Sequence, residues 1–168
     1  PVSVEYFSMC NRLVSRKVFE RNVILPFEGV NMWDDVGLCT RVRFYTRGTA
    51  VINKGFYHYN RQNEQSTTRR PLLERAREQE LCISCIEDFF RKEDSHDKYR
   101  LFLSYLRLVA AEDLFYYEPD IWRQKFEGLK DDLWKLRKLY TTKQLFKFYT
   151  LGCGGIIGKL VWKRFWKR

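Results

Sequence analysis

The sequence predicts an α/β fold: a partial mixed sheet over residues ~1–66 and a predominantly helical region after it. Three observations carry this expectation. Thr49 to Asn53 and Gly55 to Tyr59 are two short runs rich in β-branched and aromatic residues, the composition of strands. Leu72 to Phe90 and Lys98 to Phe115 place apolar residues at helical spacing over many turns. Between them the polar stretch Arg61 to Thr68 marks a change of character.

Taken in order, Val2 to Phe7 alternates enough to form a strand. Leu13 to Arg21 reads as a short helix with Leu13, Val14 and Val18 on one side, broken at Ile24-Leu25-Pro26. Pro26 to Asn31 is a turn-rich loop. Asp34 or Asp35 opens a helix to about Tyr45, since carboxylates suit the positive end of the helix dipole, and Arg47-Gly48 ends it. The next two elements are the paired strands. In the first long helix Leu72, Leu73, Ala76, Leu81, Ile83, Ile86 and Phe90 are available for burial. The second offers Leu101, Phe102, Tyr105, Leu106, Leu108 and Val109. Pro119 punctuates, residues 120–149 give one or two more helices, and Ile156 to Trp166 forms a short amphipathic helix after a glycine-rich break.

Composition narrows the function. The 168 residues are 45% hydrophobic and 31% charged, enough for a packed core and against wholesale disorder. No apolar run approaches the roughly 18–20 residues that span a bilayer, and no secretory signal opens the chain. A start at Pro1 instead of Met suggests a processed product or a piece of a longer protein. Residues 121–168 hold 13 basic and 3 acidic side chains, which accounts for the entire net charge of +10. Residues 1–120, with 18 of each sign, are neutral. A nucleic-acid module would spread positive charge over its fold and show a recognised motif, so no nucleic acid is expected; a basic nucleic-acid-binding module and a helical interaction or scaffold protein, the latter suggested by residues 70–149, stand as the alternative functions. The basic segment interleaves its charges with Trp122, Phe126, Trp134, Trp162 and Trp166. That mixture suits an anionic membrane surface, where rings sit at headgroup depth and cations meet phosphates. A solvated helix with an apolar face on the body is the alternative for residues 121–149.

The five cysteines are odd in number and widely spaced, which points to free thiols. Cys82-Ile83-Ser84-Cys85 fits a Cys-x-x-Cys spacing but lies inside a helical run without further zinc ligands nearby, so core burial is expected. Gly152 to Lys159 lacks the Lys-Ser/Thr of a phosphate loop, because Lys159 is followed by Leu160.

Chemistry concentrates in Cys10 to Asp35, which ends in paired acids at a helix start. Such a carboxylate either satisfies backbone N–H groups as a cap or acts as a general base toward a hydroxyl. The order Asn11-Arg12-Leu13, Arg16, Phe19, Asn22, Ile24, Pro26, Glu28-Gly29 and Asp34-Asp35 resembles the acceptor half of bacterial family 2 glycosyltransferases of the GT-A fold. Val51-Ile52-Asn53-Lys54, then Phe56-Tyr57-His58-Tyr59-Asn60-Arg61 and Ser66, resembles the family's strand pair and its Tyr-x-Tyr-x-Arg…Ser loop. The resemblance covers about residues 5–68 and divides the chain into an acceptor-side part, 1–68, and a helical extension with a basic tail, 69–168.

The resemblance implies a GT-A-like sheet and an inverting transfer from a nucleotide-sugar donor to a glycan or lipid-linked acceptor in surface-polysaccharide biosynthesis. It places the catalytic base at Asp35 and acceptor contacts at Asp34, which stands where the family has Glu, and at Trp33. Trp33 is either a stacking ring for a sugar face or a buried anchor. Arg61 and His58 fall in the donor-diphosphate loop, with a solvated arginine and a histidine packed between tyrosines as the plain alternatives. The family's Asp-x-Asp motif, which holds a divalent metal (Mg or Mn) on the donor, does not occur here. Its ligands are expected outside this chain, as is most of the donor pocket. The implied location is cytoplasmic, peripheral to the inner face of the membrane.

Overall fold

The computed structural model describes residues 7–58, 71–117, 119–152 and 160. Its elements are α1 (Arg16–Asn22), α2 (Asp34–Tyr45), α3 (Leu72–Lys92), α4 (His96–Tyr117), α5 (Pro119–Glu127), α6 (Lys130–Leu136), a 3-10 turn (Arg137–Leu139) and α7 (Thr142–Gly152). Among the described residues no strand or sheet forms, so the fold is helical and the GT-A-like mixed sheet over residues ~1–66 is overturned.

The physical reason lies in residues 49–58. A strand is held by lateral hydrogen bonds to a neighbour, and β-propensity expresses packing on a pleated surface more than a backbone preference. Here the run has no such surface: Val51 is 93% exposed and Phe56 73%. The expected strands therefore appear as irregular, solvent-facing chain over Thr49 to His58. Most of the strand expected at Val2 to Phe7 lies outside the described residues, but Phe7 itself is buried.

The helical expectations fare differently because i, i+3 and i+4 patterning is local. α2 begins and ends where the acids and Arg47-Gly48 place it. α3 and α4 form the central helical hairpin. Their turn is a Schellman motif: Asp94 takes a left-handed φ of 46°, Ser95 N–H donates to Phe90 C=O at 2.8 Å, and Asp94 N–H donates to Arg91 C=O at 3.1 Å. The short helix expected over Leu13 to Arg21 starts later, at Arg16, and leaves Leu13 exposed.

One core cluster joins Phe7, Val30, Met32, Trp33, Val36 and Cys39 to Ile83, Ile86, Phe90, Leu103 and Leu106. It therefore draws on residues from both sides of position 68. A second gathers Ala76, Leu108, Phe126, Leu133 and Phe148 where α5, α6 and α7 close on the hairpin. α2 runs through the interior, burying Val36, Gly37, Cys39, Thr40, Arg41 and Val42. Gly37 allows this: a Cβ there would lie 2.8 Å from the Phe27 ring. That ring is held beneath the Arg41 guanidinium at 3.9 Å. Arg41 is itself tied to the carbonyls of Gly37 and Leu25.

α6 is fastened by a buried carboxylate. Asp132, 5% exposed, accepts from Arg100 Nη1 at 2.8 and 3.0 Å and from Ser104 Oγ at 2.7 Å. Burial pushes its pKa up, but the Ser104 hydrogen bond and the Arg100 charge outweigh this and hold it below the usual carboxylate range. Asp132→Asn is expected to lower stability at neutral pH by about 2 kcal/mol, the scale of a charged hydrogen bond lost to a half-exposed arginine. Because the folded pKa is depressed, this contribution exists above the ordinary value of 3.8 and disappears as pH falls through the folded one. Denaturation midpoints of the two proteins should therefore converge in acid; a constant gap across pH would contradict the assignment.

Candidate functional site

Asp35 sits in the first turn of α2, half-buried, with Asp34 exposed beside it. Its Oδ2 accepts from Ser8 Oγ at 3.4 Å, and its carboxyl accepts from the Met9 backbone N–H. Arg12 lies close enough to act on its charge and donates from Nε to Ser8 C=O at 2.6 Å. Burial is the largest influence and raises the Asp35 pKa above 3.8; Asp34 adds to this, while Met9, Ser8 and Arg12 oppose it. A carboxylate has about four acceptor positions, so two donors leave room for a further proton or hydroxyl. The bonds run to the N-terminal arm, not to α2's own amides. Sequence reasoning did not find Ser8 and Met9, since an arm folding back 27 residues leaves no periodic signal.

Trp33 precedes the acids in a left-handed conformation, φ 68°. A bulky residue there is strained by on the order of 1–3 kcal/mol, and such strain clusters at functional positions. Its ring belongs to the core at 9% exposure, which is the buried-anchor alternative and not an open stacking face. Its carbonyl accepts from Gly37 N–H at 3.0 Å and from Cys82 Sγ at 3.2 Å, which fixes the start of α2 against α3. Trp33, Asp34 and Asp35 are thus brought to one helix start. His58 is exposed on the irregular 49–58 segment, and Arg61 lies outside the described residues.

Of the Cys-x-x-Cys pair, Cys82 is in the core, as its helical setting suggests, while Cys85 packs against it half-buried. Cys82 is fully buried, and burial pushes its thiol up to about 12, with Cys85 adding to the shift. A thiol held so far above neutrality is a poor nucleophile and ligand. Among the described residues no three His, Cys, Asp or Glu side chains converge to hold a metal. Among the described residues, the carboxylates at α2 therefore do not form a cage for a divalent ion.

A groove of about 430 Å³ opens between α3, α4 and the end of α5. Ile83, Ala110 and Leu129 form its buried floor, and ion pairs Glu80–Lys125 and Glu87–Arg107 stand on its walls. Glu87 also meets Arg91 and His96 at 2.8 and 3.1 Å. None of the five predicted site residues lines it. Its signal in the sequence was the polar spacing Glu80, Ser84, Glu87 along one face of α3.

No helix among the described residues is long and apolar enough to cross a membrane. Comparison with protein-family models, curated proteins and solved structures gives no match.

Proposed function

We propose that this chain is the acceptor-side portion of an inverting sugar transferase. The larger enzyme moves a sugar from a nucleotide-sugar donor to a hydroxyl of a glycan or lipid-linked acceptor in surface-polysaccharide biosynthesis. It works at the inner face of the cytoplasmic membrane, held peripherally by the basic region of residues 121–168. The observation that carries the reading is Asp35: a half-buried carboxylate of raised pKa in the first turn of α2, beside a strained Trp33, at the end of the ordered motif Asn11 to Asp35. A base needs that combination of access and proton affinity.

In this reading Asp35 takes the proton of the acceptor hydroxyl. The oxygen forms its bond to the anomeric carbon from the face opposite the donor diphosphate, and the bond to that diphosphate breaks with its electron pair. The exposed Asp34 contacts the acceptor sugar, while Trp33 holds the helix start from within. Arg61 and His58 meet the charge on the departing diphosphate. A divalent metal, Mg or Mn, would supply further charge neutralisation on the donor from ligands outside this chain.

The test is transfer itself. Protein carrying this chain with its donor-binding part, supplied with labelled nucleotide sugars and lipid-linked acceptors, is expected to move label into the lipid-extractable product. A folded protein that transfers from no donor overturns the proposal. A second reading, a helical interaction module, is favoured by the exposed Leu13, Val23, Leu25, Val51 and Phe56; under it, sugar transfer is indifferent to Asp35.

A further inference from the structure

The membrane-facing part of the proposed function assigns a broad region, and the structure points to a narrower contact within it. Trp134 lies on the outer side of α6 with 60% of its surface exposed. The Arg137 guanidinium stacks over its ring at 4.6 Å and donates back to the Trp134 carbonyl at 2.8 Å. Lys130 stands four residues before Trp134 on α6, Arg137 covers its ring from the following 3-10 turn, Lys138 comes next in that turn, and all four side chains are exposed. α6 has two acids. Asp132 is turned inward to Arg100 and Ser104, which leaves Asp131 as the exposed one.

We propose that the patch Lys130, Trp134, Arg137 and Lys138 is the docking surface for an anionic lipid bilayer; this rests on the membrane reading above. Charge complementarity selects that occupant. The 13 basic and 3 acidic residues of 121–168 carry the net charge of +10, while the body is neutral. An indole with an apolar body and a polar N–H settles at the depth of lipid headgroups, where neighbouring cations reach phosphates. Lysine is depleted at protein–protein interfaces, and a neutral body is a poor match for a nucleic-acid backbone.

The experiment is co-sedimentation of the full chain with vesicles of phosphatidylcholine alone or mixed with phosphatidylglycerol. Binding is expected to the mixed vesicles only and to weaken with salt. Trp134→Ser should weaken it about tenfold, with Trp134→Phe retaining most of it. Replacing Lys130, Arg137 and Lys138 together with Gln should weaken it on the order of a hundredfold, about fivefold per cation. All these side chains are exposed, so thermal unfolding should be unchanged and serves as the folding control. Full vesicle binding by both the Trp134→Ser and the triple variant overturns the patch and leaves the membrane reading standing. Failure of the unaltered chain to bind mixed vesicles overturns both. Displacement from vesicles by single-stranded RNA at physiological salt, with equal affinity, overturns the lipid assignment.

Discussion

Under the proposed function, Asp35→Asn in protein carrying this chain with its donor-binding part is expected to cut sugar transfer by about 10²–10⁴-fold, the usual contribution of a general base. The amide keeps the shape of the carboxylate: its oxygen can still accept from the Met9 N–H, and its NH2 can donate to the Ser8 hydroxyl, which reverses its role, so the arm should remain seated. What it cannot do is take a proton. The pH dependence separates this from a structural role. Burial raises the Asp35 pKa, and a base works only when ionised, so transfer in the unaltered enzyme should rise as pH climbs through that raised value. The stability effect has the opposite sign. A carboxyl whose folded pKa is raised adds stability below its ordinary value of 3.8, and that contribution is lost as pH rises through the folded value. The Asn variant should therefore be no less stable than the unaltered protein at neutral pH, and relatively less stable only in acid. Denaturation midpoints beside initial transfer rates make the comparison. Equal transfer rates in the two proteins would identify Asp35 as a fastening for the N-terminal arm and nothing more.

Phe90→Ala should produce the largest loss of stability, about 3–5 kcal/mol. Phe90 is 1% exposed, and its ring stacks on Tyr99 at 4.3 Å with 8° between planes. Phe44 from α2 and Phe102 from α4 pack at 6.1 and 6.3 Å, so one side chain joins three helices. Truncation removes the buried ring and leaves a cavity whose aromatic walls cannot all close on it. The same backbone turn also depends on the Phe90 carbonyl, which accepts from Ser95, but alanine preserves that bond. Phe146→Ala, at a site 57% exposed, provides the contrast and should stay within about 0.5 kcal/mol. A shift at Phe90 no larger than that at Phe146 would show that the aromatic cluster is not the joint between α2 and the hairpin.

How far each feature was legible follows from the range of the interactions behind it. α2, α3 and α4 could be placed to within a few residues because first-turn acids, favoured by the helix dipole, and apolar periodicity act over a single turn. The spacing of Phe90 and Leu106 already marked them as buried. Asp34 and Asp35 were legible as a helix start for the same reason. Ser8 and Met9, which receive Asp35, and Arg100 and Ser104, which receive Asp132, were not, because each pair meets across tens of residues. Trp33 was legible as two alternatives, and only the core cluster decided that its ring faces inward. The strands failed for a further reason. Thr49 to His58 has the side chains of a strand, yet strand formation depends on a neighbouring chain that composition does not describe.

By itself the sequence determined α2, α3 and α4 to within a few residues, the neutral body with its basic C-terminal region and the burial of Cys82. These depend on local periodicity and on charge counting. Residues 120–149, expected to give one or two helices, give three, and most of the helix expected at Ile156 to Trp166 lies outside the described residues. Only the tertiary structure decided that residues 49–58 run as irregular chain instead of strands, that Asp132 and Trp33 turn inward, and that Trp134 stays outside among cations. Those outcomes depend on which surfaces meet, and burial is a competition among all surfaces of the folded chain at once.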